Sequence, residues 1–265
     1  MQSGTIEPEP PYYREDPYLE FLGRVSNEDL APLVEIITSK ATEELTQKKI
    51  YKTFYPDHKR YWKDIAAEIQ TFGGNTIANI FRGNKGVLYE EILRDVCKHL
   101  KIEDVDNKGV LELEENLLIK IAVDTLKELT IEEVKKIIDE LDSKEAPEID
   151  EIKQKIETMA KTEKCPEWLA TMIAQIAVKR IGFWTFNKFI LTIINMIFKI
   201  IFKQGLSLVV NKTISQILGR LYSVFTGPIG WGITGIWSLI DIAGPAKRVT
   251  IPCCIYIAFL RRKYS

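Results

Sequence analysis

The stretch NKFILTIINMIFKIIFK, residues 187–203, constrains most tightly what this chain can become. Its Ile, Leu, Phe and Met residues demand apolar surroundings, which either lipid or a protein interior can supply. Yet Lys188, Asn195 and Lys199 sit inside it, where lipid tolerates them least. The wider tract 181–202 holds thirteen Ile, Leu or Phe residues, together worth roughly −6 kcal/mol on a membrane-insertion scale. Two central lysines cost about 2.5–3.5 kcal/mol each, and two asparagines add to that cost. As a lone lipid-facing span the tract is marginal.

Placed on a helix, Lys188, Thr192, Asn195 and Lys199 fall within roughly 60° of one another and form one polar stripe. Three settings accommodate such a stripe. The helix can lie in a membrane interface with its lysines toward the headgroups, or it can span with the stripe facing a pore or a helix bundle. It can also be the core helix of a soluble protein, with the stripe as its wet face. The width of the apolar arc counts against the last, and the leading expectation is the second, in which Lys188, Thr192, Asn195 and Lys199 line a pore. The tract 222–243, YSVFTGPIGWGITGIWSLIDIA, has a single charge. Its Gly227, Gly230, Gly232 and Gly235 suit close helix packing or a hairpin at Gly227–Pro228. A last apolar run, VTIPCCIYIAFL, precedes Arg261, Arg262 and Lys263. With Lys161, Lys164, Lys179 and Arg180, that cluster reads as a cytoplasmic flank.

Charge divides the chain in the same way. Residues 181–265 hold ten Lys or Arg and one acid, Asp241, a net of +9. The whole chain has 36 basic and 37 acidic residues, so 1–180 retains 26 and 36, a net of −10. Such asymmetry indicates that the two parts meet different environments, and a basic apolar region suits an anionic membrane. The N-terminus, MQSGTIEPEPPYYRED, has neither the basic nor the apolar segment of a secretory signal. Four cysteines without C-x-x-C spacing and only two histidines read as free thiols in a reducing compartment, with no metal site and no cofactor.

Helical patterning fills the acidic part. Ser26 can cap a helix in VSNEDLAPLVEIITSK, with Leu30, Leu33, Val34 and Ile37 at helical spacing. YWKDIAAEIQTFGG repeats the pattern, with Gly73–Gly74 as its stop and Asn75 as the cap of a following short helix. VLYEEILRDVCKHLKI, LTIEEVKKIIDEL (opened by a Thr130–Glu133 capping box), EIDEIKQKIETMAK and CPEWLATMIAQIAVKR continue it. No strand-like alternation of useful length occurs. The expected fold is all-α: a soluble N-terminal helical domain followed by a C-terminal membrane-inserting helical region. The expected segments are a disordered tail at 1–17, a helical regulatory domain at 18–102, a charged helical connector at 103–164 and a membrane-inserting region at 165–265.

Chemistry-bearing motifs are few. There is no GxSxG, HExxH or phosphate-binding Walker sequence, and no catalytic residue is assigned. In FGGNTIANIFRGNKG, Asn75 at a helix start with Arg82 and Lys85 nearby forms a weak candidate for a regulatory anion. DVDNKGVLELEE, residues 104–115, approaches a calcium loop, but Lys108 stands where a ligand belongs.

The stretches FGGNTIANIFRGNKGVLYEEILRDVCKHLKI and AGPAKRVTIPCCIYIAFLRR resemble the YaaW-like family of bacterial proteins, which has been likened to ubiquinol–cytochrome c chaperones. The resemblance extends over most of the chain from about residue 18. It implies an assembly role and supplies no catalytic residues. The leading expectation is a homo-oligomeric pore or ion channel in the bacterial inner membrane, its soluble domain in the cytoplasm. That architecture is toxin-like or antiphage by analogy, gated by a regulatory ligand or partner protein, with a nucleotide or oligonucleotide among the candidates. The alternative is a non-enzymatic peripheral membrane adaptor or assembly chaperone without a pore.

Overall fold

The C-terminal helix organises the first half of the molecule. In the computed structural model, which describes residues 12–38, 44–76, 86–139, 147–179, 189–191, 193–194 and 247–264, the chain separates into two compact units. The first comprises Met1–Val110 together with Ala243–Ser265, and the second Leu111–Ile242. Unit one contains α1 (Asn27–Thr38), α2 (Glu44–Gln47), α3 (Lys49–Phe54), α4 (Trp62–Thr76) and α5 (Tyr89–His99). The main helices of unit two are α6 (Val110–Lys127), α7 (Ile131–Asp139), α8 (Glu148–Glu157) and α9 (Glu167–Lys179). The last helix, α10 (Lys247–Tyr264), returns to unit one. The described residues are helical without a strand, apart from one isolated antiparallel bridge between Thr130 and Lys164.

Every residue of α10 from Val249 to Leu260 is buried. A helix that is apolar all round must be enclosed all round. Here α1, α4, α5 and a 3-10 helix at Glu20–Arg24 enclose it. The twelve-residue run is only about 18 Å long, far short of a hydrocarbon core of about 30 Å. The terminal charges, read from sequence as a membrane flank, close the unit instead. Lys263 Nζ lies 2.6 Å from Asp29 Oδ2, and the Tyr264 hydroxyl donates to the same oxygen at 2.6 Å. The backbone N–H of Ser26 donates to the Tyr264 hydroxyl at 2.9 Å. Arg261 donates to the Tyr18 carbonyl at 2.6 Å and stacks 4.4 Å from the Phe21 ring centre. Lys247 pairs with Asp95 at 3.5 Å.

Two expectations for unit one change. Residues 12–17, expected to be tail, include a well-anchored strap. Tyr13 packs edge-on against Trp62 at 5.5 Å, and Arg14 and Gln70 exchange hydrogen bonds of 3.0 and 2.8 Å. The Asp16 carboxylate, fully buried, accepts the Tyr89 N–H at the start of α5 at 2.6 Å. Secondly, α4 does not stop at Gly73–Gly74 but runs through Thr76. A Cβ on Gly73 would lie 2.3 Å from Ile92 Cγ1 and 2.9 Å from Val87 Cγ2. Gly73 is there so that α4 and α5 can approach closely.

In unit two, the capping box forms as expected. The Thr130 N–H donates to Glu133 Oε2 at 2.6 Å, and the Glu133 N–H donates to Thr130 Oγ1 at 3.4 Å. The stripe Ile131, Val134, Ile138 is buried, as are Ile149, Ile152 and Ile156 on α8. Residues around Lys164 run beside the α6–α7 turn, with Ile131 N–H donating to Glu163 O at 2.8 Å and Cys165 N–H to Leu129 O at 2.9 Å. The boundary expected between residues 164 and 165 is therefore internal to unit two.

The membrane-inserting reading of 165–265 requires correction. Among the described residues, no helix is long and apolar enough to cross a membrane. Its first and last helices, α9 and α10, are packed within units two and one respectively, and α10 carries five basic residues at its ends. The transmembrane and pore-forming reading falls with that finding. Of the stretch at 187–203, Phe189, Ile190, Leu191, Ile193 and Ile194 are helical and buried.

Candidate polyanion-binding surface

The segment linking α2 to α4, KKIYKTFYPDHKRYWK (residues 48–63), has six Lys or Arg, one acid and five aromatic residues. Basic residues interleaved with aromatics are the composition of surfaces that hold polyanions, and nucleic acids in particular. The fold sorts these residues into an inner and an outer set. Lys48 turns inward, 3% exposed, and meets Asp64 at 3.4 Å and Glu68 at 3.2 Å. Its charge belongs to the interior. Lys49, Lys52, Lys59, Arg60 and Lys63 are exposed, with Asp57 the only acid among them.

The aromatic set makes the framework. α3 packs against the 3-10 helix His58–Tyr61. Tyr51 contacts Tyr61 at 5.6 Å and Tyr55 at 5.2 Å between ring centres, while His58 lies 5.7 Å from Tyr61 and 5.8 Å from Tyr55. Tyr61 is buried, whereas Tyr55 is 57% exposed at the outer edge of the cluster. The turn carrying Tyr55 is tied to the start of α1, where Asn27 accepts the His58 N–H at 2.6 Å and donates to the Pro56 carbonyl at 3.0 Å. The Arg60 guanidinium lies 4.5 Å from the centre of the Phe54 ring, a cation–π contact that orients it.

Burial raises the Tyr51 and Tyr61 phenols and lowers His58 below its ordinary value. The aromatic cluster is thus uncharged at neutral pH, and the positive charge comes from lysine and arginine. Among the described residues, Lys52, Lys59, Arg60 and Lys63 make no ion pair, and Lys52 donates to Gln47 Oε1 at 3.0 Å. Several other surface lysines are matched, as in Lys98–Asp106, Lys120–Asp124, Lys127–Glu167 and Lys155–Glu151, while Lys101, Lys136 and Lys161 are exposed singly on other segments.

The residues singled out from sequence fall elsewhere. Lys188, Thr192, Asn195, Lys199, Gly227, Gly230, Gly232, Gly235, Arg82 and Lys85 lie outside the described residues. Asn75 lies within α4, so its amide is in the last turn of a helix and not at the helix start that an anion needs. In the calcium-like loop, Asp106 pairs with Lys98 at 2.7 Å, and Arg94 donates to the Val105 and Lys108 carbonyls. The basic–aromatic interleaving of residues 48–63 is a sequence signal in its own right, less conspicuous than the apolar tracts.

Sequence comparison places the chain among relatives. A UPF0174 protein of Helicobacter pylori strain J99 is 37% identical over 257 residues, covering 95% of this chain and 93% of that protein. The chain belongs to the UPF0174 family. A second UPF0174 protein of that strain is 34% identical over 222 residues, covering 83% of this chain and 97% of the relative. The UPF0174 protein YaaW of Escherichia coli K12 is 26% identical over 262 residues, covering 96% and 97% respectively, which bears out the YaaW-like resemblance. A domain of unknown function (DUF3944) matches residues 13–40. No solved structure matches the chain. In this UPF0174 protein the matched segment holds the strap residues Tyr13, Arg14 and Asp16, the Asp29 clasp, and Asn27, which ties down the turn bearing Tyr55.

Proposed function

We propose that this UPF0174 protein is a non-enzymatic binding module, an adaptor that engages a polyanion through the surface of residues 49–63. The observation that carries the reading is the set Lys52, Lys59, Arg60 and Lys63, exposed and without acidic partners among the described residues. An exposed cation without a partner is hydrated and surrounded by mobile counterions, and a polyanion releases those counterions when it binds. The cations sit on a scaffold held by buried aromatics, so ordering them costs less than ordering a flexible tail.

Heparin affinity measured across a salt series tests the reading. Wild type is expected to bind with affinity that falls steeply as salt rises, whereas Lys52→Glu/Lys59→Glu/Arg60→Glu is expected to bind at least roughly tenfold more weakly and with a shallower salt slope. Lys136→Glu, an exposed lysine on α7, serves as the control and is expected to leave affinity unchanged. Equal heparin binding by wild type and the triple variant would end the proposal.

A further inference from the structure

We propose that the polyanion is single-stranded nucleic acid, its phosphates on Lys52, Lys59, Arg60 and Lys63 and one base stacked on Tyr55. The inference rests on the polyanion reading and adds the class of partner. Tyr55 carries the argument. It is an aromatic ring 57% exposed on a segment rich in unpaired cations, and Tyr51 and His58 support it from within the cluster at 5.2 and 5.8 Å. A ring held in this way loses little freedom when a base stacks on it. Arg60, oriented by Phe54 at 4.5 Å, adds a planar guanidinium, a second group suited to stacking on a base or binding a phosphate.

Duplexes and membranes fit the same surface less well. In a duplex the base faces are stacked on one another, which leaves Tyr55 without a partner. The local helix α3 has six residues and is about 9 Å long, too short to read a major groove as recognition helices do. A peripheral membrane site inserts Leu, Phe or Trp between lipids. Among the described residues 49–63, the exposed large hydrophobic side chain is Tyr55, whose hydroxyl suits a wet surface.

Fluorescence anisotropy with labelled single-stranded RNA and DNA of about 12 nucleotides, a duplex of equal length, and sedimentation with anionic phosphatidylglycerol vesicles test the inference on the full chain. Single strands are expected to bind at least roughly tenfold more tightly than the duplex. Tyr55→Ala is expected to weaken single-strand binding roughly 5- to 150-fold, with Tyr55→Phe retaining most of it. Circular dichroism and thermal melting check that the variants fold. If Tyr55→Ala does not, Tyr55→Leu, which keeps an apolar side chain without a ring, replaces it with the same expected loss. Equal affinity for strand and duplex, single-strand binding that survives removal of the ring, or capture by vesicles without capture of oligonucleotide each overturns the inference. Any of these with heparin binding still dependent on the basic residues leaves the polyanion reading standing. Loss of that dependence removes both.

Discussion

His58 shows how one residue's surroundings reach the function. Its ring is buried between Tyr55 and Tyr61, with Nδ1 2.5 Å from the Tyr61 hydroxyl. Burial lowers its folded-state affinity for a proton, with Asp57 opposing more weakly. In the unfolded chain it titrates near 6.5. Its stabilising contribution is therefore complete above that value and is lost as pH falls from there toward the lower folded-state value. Urea denaturation across this range is expected to show a steeper acid loss of stability for wild type than for His58→Gln. Parallel pH profiles would show that His58 is not held neutral. At this scale, local devices were legible in the sequence: Ser26 Oγ accepts the Asp29 N–H at 3.2 Å, and Thr130 and Glu133 cap α7. Both act within three residues, so the chain's local geometry suffices. Neighbours Lys48 and Lys49 were not separable, because one is buried beside Asp64 and Glu68 and the other exposed. Only the position of α4 decides which.

At the scale of elements, Gly73 marks the limit of reading signals along the chain. A Gly-Gly pair resembles a helix stop, yet here it lies within α4 and permits contact with α5. Gly73→Ala removes the helix-propensity penalty of glycine, a gain of about 1 kcal/mol. It also drives a methyl group into Ile92, which is buried, β-branched and unable to yield cheaply. A net loss of about 1–3 kcal/mol is expected, seen as a lower denaturant midpoint with unchanged m-value. A raised midpoint would show that α4 and α5 do not pack this closely. α10 teaches a related lesson. Its sequence demanded apolar neighbours on every side, and lipid and protein meet that demand equally. The terminal charges Arg261 and Lys263, read as part of a membrane flank, hold the Tyr18 carbonyl and Asp29.

For the whole molecule, the four cysteines report on the integrity of both units. Cys97, Cys253 and Cys254 belong to unit one and Cys165 to unit two, and all are buried thiols. Burial pushes the Cys165 thiol to about 12 and Cys253 higher still. The thiolate is the reactive species, so a thiol reagent at neutral pH is expected to label none of the four rapidly in the native protein and all four in denaturant. Rapid labelling of the native protein would show that these interiors open readily. By itself the sequence determined the all-α class, most helices of the acidic part and their caps, because helical periodicity and capping are short-range properties. It also contained the basic–aromatic run of residues 48–63. Only the tertiary structure decided that the last apolar run is the core of the first unit, that Lys48 faces inward, and that Tyr55 is exposed on the same segment as the exposed Lys52, Lys59, Arg60 and Lys63. Burial depends on which distant segments arrive to supply neighbours, and a linear pattern states the need without naming the supplier.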